Sequence, residues 1–330
     1  MKTCKALLLV FSFTFLATIT YAQFNLPRYK DVAEIKNLQP IIIINPPNDD
    51  IVKKYDRKSK PEVVQTYEQL IDNYNNTMAA MMKKFWTFNS KEPLFKTRAE
   101  VKEITKTRSE KIKYFIIYCY SYESSYTHDF DWRIDKGGER VVGTYTHFAV
   151  GFLDEPPFYD VMFPDLLPTP KYIAYMISNT NVKFNYVESH KDNGDYKQMI
   201  SKNAHLLSGK TLLISKDQVS PKVMGDIGSY YSCSYRLVSD DEMNQAVASG
   251  DSASAYVIRC NGSVSNSGMT MGNTDINWII NCADGVPIGY TTKGTSASAG
   301  KMFTTVTIGD AGLRKDFFQD IASLCAGSKK

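Results

Sequence analysis

Two stretches of the chain repeat one order of apolar and polar positions. In residues 210–260, Leu212, Leu213 and Ile214 make an apolar run of strand length. Ser220 and Pro221 then predict a helix start, a hydroxyl cap followed by proline at the first helical position. Val223, Met224 and Ile227 carry that helix on. A second strand through Tyr235 and Leu237 ends at Ser239. Ser239 and Glu242 have the spacing of a capping box, in which hydroxyl and carboxylate each satisfy a free backbone N–H at a helix start. Met243, Ala246 and Val247 continue this helix, and residues 255–260 form a third strand. The order is βαβαβ.

Residues 40–120 echo it. Residues 41–44 are the apolar strand, and Val63, Tyr67, Leu70, Ile71, Tyr74, Met78, Met81 and Phe85 fall at helical spacing. A short strand is expected at 86–88, matching 231–233. Thr97 and Glu100 repeat the capping box, and 114–120 is the third strand. Thr97 to Tyr114 and Ser239 to Tyr256 are both 17 residues, which pairs Tyr118 with Cys260. Agreement of element order, cap chemistry and spacing argues for an internal duplication.

Both halves then continue alike. Strands at 141–153 and 158–163 flank a turn holding Pro156 and Pro157, and Thr169 with Pro170 opens a helix through Tyr172, Ile173, Met176 and Ile177. In the second half, strands at 276–282 and 287–291 flank a turn at 283–285. A strand at 302–308 follows, and Leu313, Phe317, Ile321 and Leu324 mark a closing helix. The expected fold class is α/β in the mixed α+β sense, two similar βαβαβ-ββ-α halves with mixed sheets. The expected organisation is a signal peptide at 1–22, an N-terminal arm at 23–39, and a first α/β domain at 40–187. A connector and linking helix at 188–207 leads to a second α/β domain at 208–330. Residues 45–60 read as a polar surface loop. Residues 97–113 read as an exposed helix face.

Composition changes the picture mainly through the N-terminus. Lys2 and Lys5 precede an apolar run from Ala6 to about Thr18, and Thr20, Tyr21 and Ala22 make an acceptable cleavage site before Gln23. That run is shorter than the roughly 20 apolar residues of a membrane-spanning helix, and Cys4 precedes it, unlike a lipoprotein cysteine. The expected product is soluble and exported, periplasmic or extracellular. Losing Lys2 and Lys5 takes the 39 basic residues to 37 against 35 acidic ones, too even a balance for nucleic acid or an anionic membrane. Cys119, Cys233, Cys260, Cys282 and Cys325 are spread too widely for a disulfide-built scaffold and read mostly as small buried residues. Cys260 with Cys282 is the one expected pair, closing a hairpin.

Motifs exclude more chemistry than they offer. The stretch from Gly294 to Lys301 has five residues between its glycines, and Met302 stands where a phosphate-binding loop needs a hydroxyl. HExxH, GxSxG, CxxC and dinucleotide fingerprints are absent, and His128, His147, His190 and His205 share no metal-ligand spacing. A histidine within a strand, as at His147, reads as a hydrogen-bonded structural residue.

The richest stretch is 114–139. Tyr118, Tyr120 and Tyr122 share one strand face, with Ile117 and Cys119 on the other. Beyond them Tyr126, His128, Asp129, Asp131, Trp132 and Glu139 bring aromatic rings beside carboxylates, a set suited to stacking on a sugar and binding its hydroxyls. His128, Asp129 and Asp131 also suit a hard cation such as calcium. The matching loop at 261–275 is small and polar. No nucleophile with its base stands out, so the expected function is a non-enzymatic binding or scaffold protein without a cofactor. Its partner would be a small molecule, a glycan or a protein. The alternative is a carboxylate-dependent hydrolase of glycan or peptide. The style of the leader and the tyrosine- and lysine-rich body resembles exported proteins of Gram-negative Bacteroidota.

Overall fold

The structure, a computed structural model, describes residues 26–58, 60–123, 126–128, 145–163, 169–191, 195–262, 272–296 and 312–327. The signal peptide expected at 1–22 and the strand expected at 302–308 lie outside the described residues. The chain divides into two compact units meeting between Gly194 and Asp195.

In the first unit, β1 (Gln39–Ile43) lies between two parallel neighbours, β2 (Leu94–Lys96) and β3 (Tyr114–Glu123). The sheet continues antiparallel through β5 (Tyr145–Phe152) to β6 (Tyr159–Phe163), while β4 (Tyr126–His128) pairs with the far end of β3. The second unit has β7 (Thr211–Ser215) between parallel β8 (Tyr235–Val238) and β9 (Ser254–Gly262). Its β10 (Gly272–Asn281) and β11 (Pro287–Ser296) extend the sheet antiparallel. The two five-strand paths have the same order and the same directions, strand for strand. The fold is mixed α+β with two similar sheets. Each central strand reads as an unbroken apolar run because a strand flanked by parallel partners is covered on both faces.

The helices explain those covers. A helix α1 (Tyr29–Ile35) precedes β1, and α2 (Asp49–Asp56) and the long α3 (Pro61–Phe85) connect β1 to β2. Tyr67, Ile71, Tyr74, Met78, Met81, Met82 and Phe85 form the buried stripe of α3, each side chain worth about 1.5–3 kcal/mol on burial. After β2 come α4 (Arg98–Thr105) and the short α5 (Arg108–Lys111), and after β6 comes α6 (Pro170–His190). The second unit opens with α7 (Tyr196–Asn203), capped by the Asp195 carboxylate, which accepts from the Gln198 N–H at 3.1 Å. Then follow α8 (Ile227–Tyr230), α9 (Asp240–Ser249) and α10 (Lys315–Gly327).

Both capping boxes form. The Thr97 and Ser239 hydroxyls accept from the N–H groups of Glu100 and Glu242 at 3.2 Å in each case. The two carboxylates accept the cap residues' own N–H groups at 2.7 Å. Each box stands immediately after the strand that pairs with the central one.

Several expectations are corrected. The strand expected at 86–88 lies instead at β2. No ladder forms at 86–88: the Trp86 N–H donates to the Met82 carbonyl, while Asn181 of α6 accepts from the N–H groups of Thr87 and Phe88 and donates to the Phe85 carbonyl. Trp86 and Phe88 turn inward instead, against Phe115 and Phe184. The polar loop expected at 45–60 contains α2, started by Asn48, which accepts from the Asp50 N–H at 2.9 Å. Asp49 and Asp50 in its first turn and Lys53 and Lys54 in its last oppose the helix dipole. The expected arm at 23–39 contains α1. The helix expected from Pro221 is only a set of turns before α8, in a stretch where Gly225 and Gly228 weaken helix formation.

The equal 17-residue offsets are not structurally equivalent. Lys96 and Val238 precede the two caps, and their partners are Ile43 and Ser215. Counting back two places, Ile41 faces Ile116, whereas Leu213 faces Tyr256. The first unit therefore carries two extra residues, in the α4–α5 connection. A shift of two keeps every side chain on its face, which is why the pattern survived it. Tyr118 corresponds to Ile258, and Tyr120 to Cys260.

The expected Cys260–Cys282 bond does not fit either. Cys260 pairs with Ile276, six residues before Cys282, which is about 20 Å along a strand. Disulfides need Cα atoms within about 7 Å. Cys233 is bonded instead to Cys325 on α10, with Cα atoms 6.8 Å apart and 92 residues between them in sequence.

Candidate functional site

One face of the first sheet is covered by α4: Ile41, Ile43, Val101 and Leu153 are buried there, with Ile116 and Tyr118 packed against them. Beyond Tyr118, alternation along β3 brings Tyr120 to the same face, its ring centroid 5.7 Å from that of Tyr118. Register places His147 of β5 directly across from Tyr120. The two rings stack, 4.7 Å apart and 14° from parallel.

Asp160 of β6 completes the cluster. Its carboxylate accepts from the Tyr120 hydroxyl at 3.1 Å and meets His147 Nδ1 at 2.8 Å. The pair remains reachable from solvent, with the His147 side chain 17% exposed and that of Asp160 42%. Burial opposes ionisation of Asp160, but the hydrogen bond and charge of His147, the Tyr120 phenol and the charge of Lys183 outweigh it. The carboxyl is held below its ordinary range. Lys183 of α6 is fully buried, 5.2 Å from the centre of the Tyr159 ring, and burial pushes its ammonium down to about 7 against the pull of Asp160. Burial pushes the Tyr118 phenol up, opposed by Arg98, whose guanidinium sits 5.2 Å from that ring.

The arrangement offers stacked aromatic rings beside an ionised carboxylate, with an imidazole held through one nitrogen. Such a set can hold a ring by stacking and accept hydrogen bonds from its substituents. The second unit does not repeat it. The register positions of Tyr118, Tyr120, His147 and Asp160 are taken there by Ile258, Cys260, Ile276 and Tyr290. The chemistry belongs to one half.

The sequence-predicted residues lie next to this cluster or outside the described residues. Tyr122 continues β3 two positions past Tyr120, opposite Tyr145 and Thr127. Tyr126 and His128 are on β4, opposite Glu123 and Ser121. Asp129, Asp131, Trp132 and Glu139 are outside the described residues, as is most of the loop at 261–275. Among the described residues no group of three or more His, Cys, Asp and Glu side chains is placed to hold a metal ion. Asp160 was missed because β6 alone shows only a polar position between Tyr159 and Val161. Its meeting with His147 requires the β5–β6 register. His147 looks structural in sequence because its stacking partner sits 27 residues earlier in the chain.

Among the described residues no helix is long and apolar enough to cross a membrane. No protein-family model matches the chain, and comparison with curated proteins and solved structures found no significant match.

Proposed function

We propose that the protein is an exported, non-enzymatic binding protein whose ligand, a glycan, lies against Tyr118, Tyr120, His147 and Asp160. The observation that carries this reading is the Tyr120–His147 stack ending on the ionised Asp160. A pyranose presents an apolar C–H face that packs against aromatic side chains, and its hydroxyls donate to a carboxylate. Tyr122, Tyr126, His128, Asp129, Asp131, Trp132 and Glu139 would supply the outer contacts. The Cys233–Cys325 bond supports export, since structural disulfides persist in oxidising compartments. The shared strand order of the two sheets supports descent from one duplicated unit.

The test is a glycan array followed by titration calorimetry on the selected ligand. Folded Tyr120→Ala protein should bind roughly two- to tenfold more weakly for the lost ring contact, and Asp160→Asn about tenfold or more for the lost charged acceptor. Trp132→Ala and Asp131→Ala report the outer contacts. Unchanged affinity in both Tyr120→Ala and Asp160→Asn would remove the site from this face. Cleavage of the bound glycan would replace binding with carboxylate-dependent hydrolysis.

A further inference from the structure

The second unit contains a cleft of about 370 Å³ between α7, β11 and α10. Gly289 lies in its wall. Gly289 pairs with Ile279, as Tyr159 pairs with Val150, so the two occupy the same place in their sheets. In the first unit Tyr159 fills that place and packs edge-on against Phe184 of α6. In the second unit Leu324 takes the space over Gly289 instead, where an added Cβ would meet its methyl at 3.1 Å.

The cleft wall holds several acceptors beside the Tyr290 and Thr291 hydroxyls. Asp320 brings a carboxylate, and no lysine or arginine is among the lining residues. The hydroxyl hydrogens of Ser201 and Ser323 are directed to helix carbonyls, those of Lys197 at 3.0 Å and Asp320 at 2.6 Å, which leaves their oxygen lone pairs for the cleft. Thr291 accepts from the Asn277 amide at 3.1 Å, and the buried Oδ1 of that asparagine has no hydrogen-bond partner. A second acid stands nearby. The Tyr290 phenol is pushed up first by burial and then by the charge of Asp195.

We propose that this cleft binds a small organic cation with a primary ammonium group, independently of the glycan face. An ammonium supplies three donors, for which the Asp320 carboxylate and the Ser201 and Ser323 oxygens offer acceptors, and its charge pairs with Asp320. The volume lies at the small end of ligand pockets and suits a short aliphatic amine.

The experiment uses the full-length protein at low ionic strength, with putrescine as probe and 1,4-butanediol as its uncharged counterpart of similar length. Calorimetric titration should show saturable putrescine binding, and the diol should bind at least tenfold more weakly. Asp320→Asn should lose at least tenfold in putrescine affinity, and Gly289→Ala should weaken it by pressing on Leu324. Tyr120→Ala should leave it unchanged, which separates failure here from failure of the glycan reading. Absence of saturable putrescine binding to the folded wild-type protein overturns the proposal, as does equal affinity in Asp320→Asn.

Discussion

Lys183 is a fully buried amine beside the Tyr159 ring, and its protonation ties the first unit's stability to pH. Its folded pKa is pushed down to about 7 by burial, while an unfolded lysine titrates near 10.4. Between those values the unfolded chain binds the extra proton, so this group makes stability rise as pH increases through that window. Below pH 7 both states are protonated and the full penalty for burying the charge remains. A Lys183→Met variant should gain on the wild type at pH 6, with the gain shrinking by roughly 3–5 kcal/mol by pH 10. Urea unfolding at both pH values checks this, and a difference independent of pH would rule it out. Asp160 gives a slope of the same sign at lower pH, but there the charged form is the stabilising one. Its depressed pKa makes its contribution present at neutral pH and lost as the pH falls below the ordinary carboxylate range.

At the scale of elements, the caps carry the clearest local signal. In both boxes the hydroxyl and the carboxylate bond back to backbone at near-identical distances. Glu100 and Glu242 are held below the usual carboxylate range, first by the cap residue's backbone N–H and then by its hydroxyl. Thr97→Ala and Ser239→Ala should each destabilise the protein by about 0.5–2 kcal/mol in urea unfolding. Equal stability of both variants with the wild type would mean the boxes hold nothing that matters. These starts were legible because a capping box is written within four residues. The strand before Thr97 was not, because Leu94, Phe95 and Lys96 are few and half-buried, while Trp86 and Phe88 advertise an apolar run that serves the core instead. The α2 helix was hidden in the same way, since its charges read as loop until its end-to-end polarity is noticed.

At the scale of the whole molecule, the Cys233–Cys325 bond ties α10 to the loop after α8 and closes most of the second unit. A loop of that length stabilises by about 2–5 kcal/mol, chiefly by limiting the unfolded chain. Reduction, or the Cys233→Ala and Cys325→Ala pair, should lower the melting temperature of the second unit and leave the first unit's transition in place. Calorimetry with and without reductant reads both. A coincident drop of both transitions would show that the bond supports more than its own unit.

Local chemistry along the chain determined the element types, both helix starts, the two-sided burial of the central strands and the repetition of one plan. Each of these depends on residues a few positions apart: a cap and its carboxylate, an apolar run, a period of two or of three to four. Only the tertiary structure decided what depends on register between distant strands. It set the two-residue slip between the halves, which an even shift conceals from any pattern of faces. It chose Cys325 rather than Cys282 as a bonding partner, and it brought Asp160 to His147 and Tyr120. Those meetings follow from hydrogen-bond pairing across a sheet, and no spacing within a single segment encodes them.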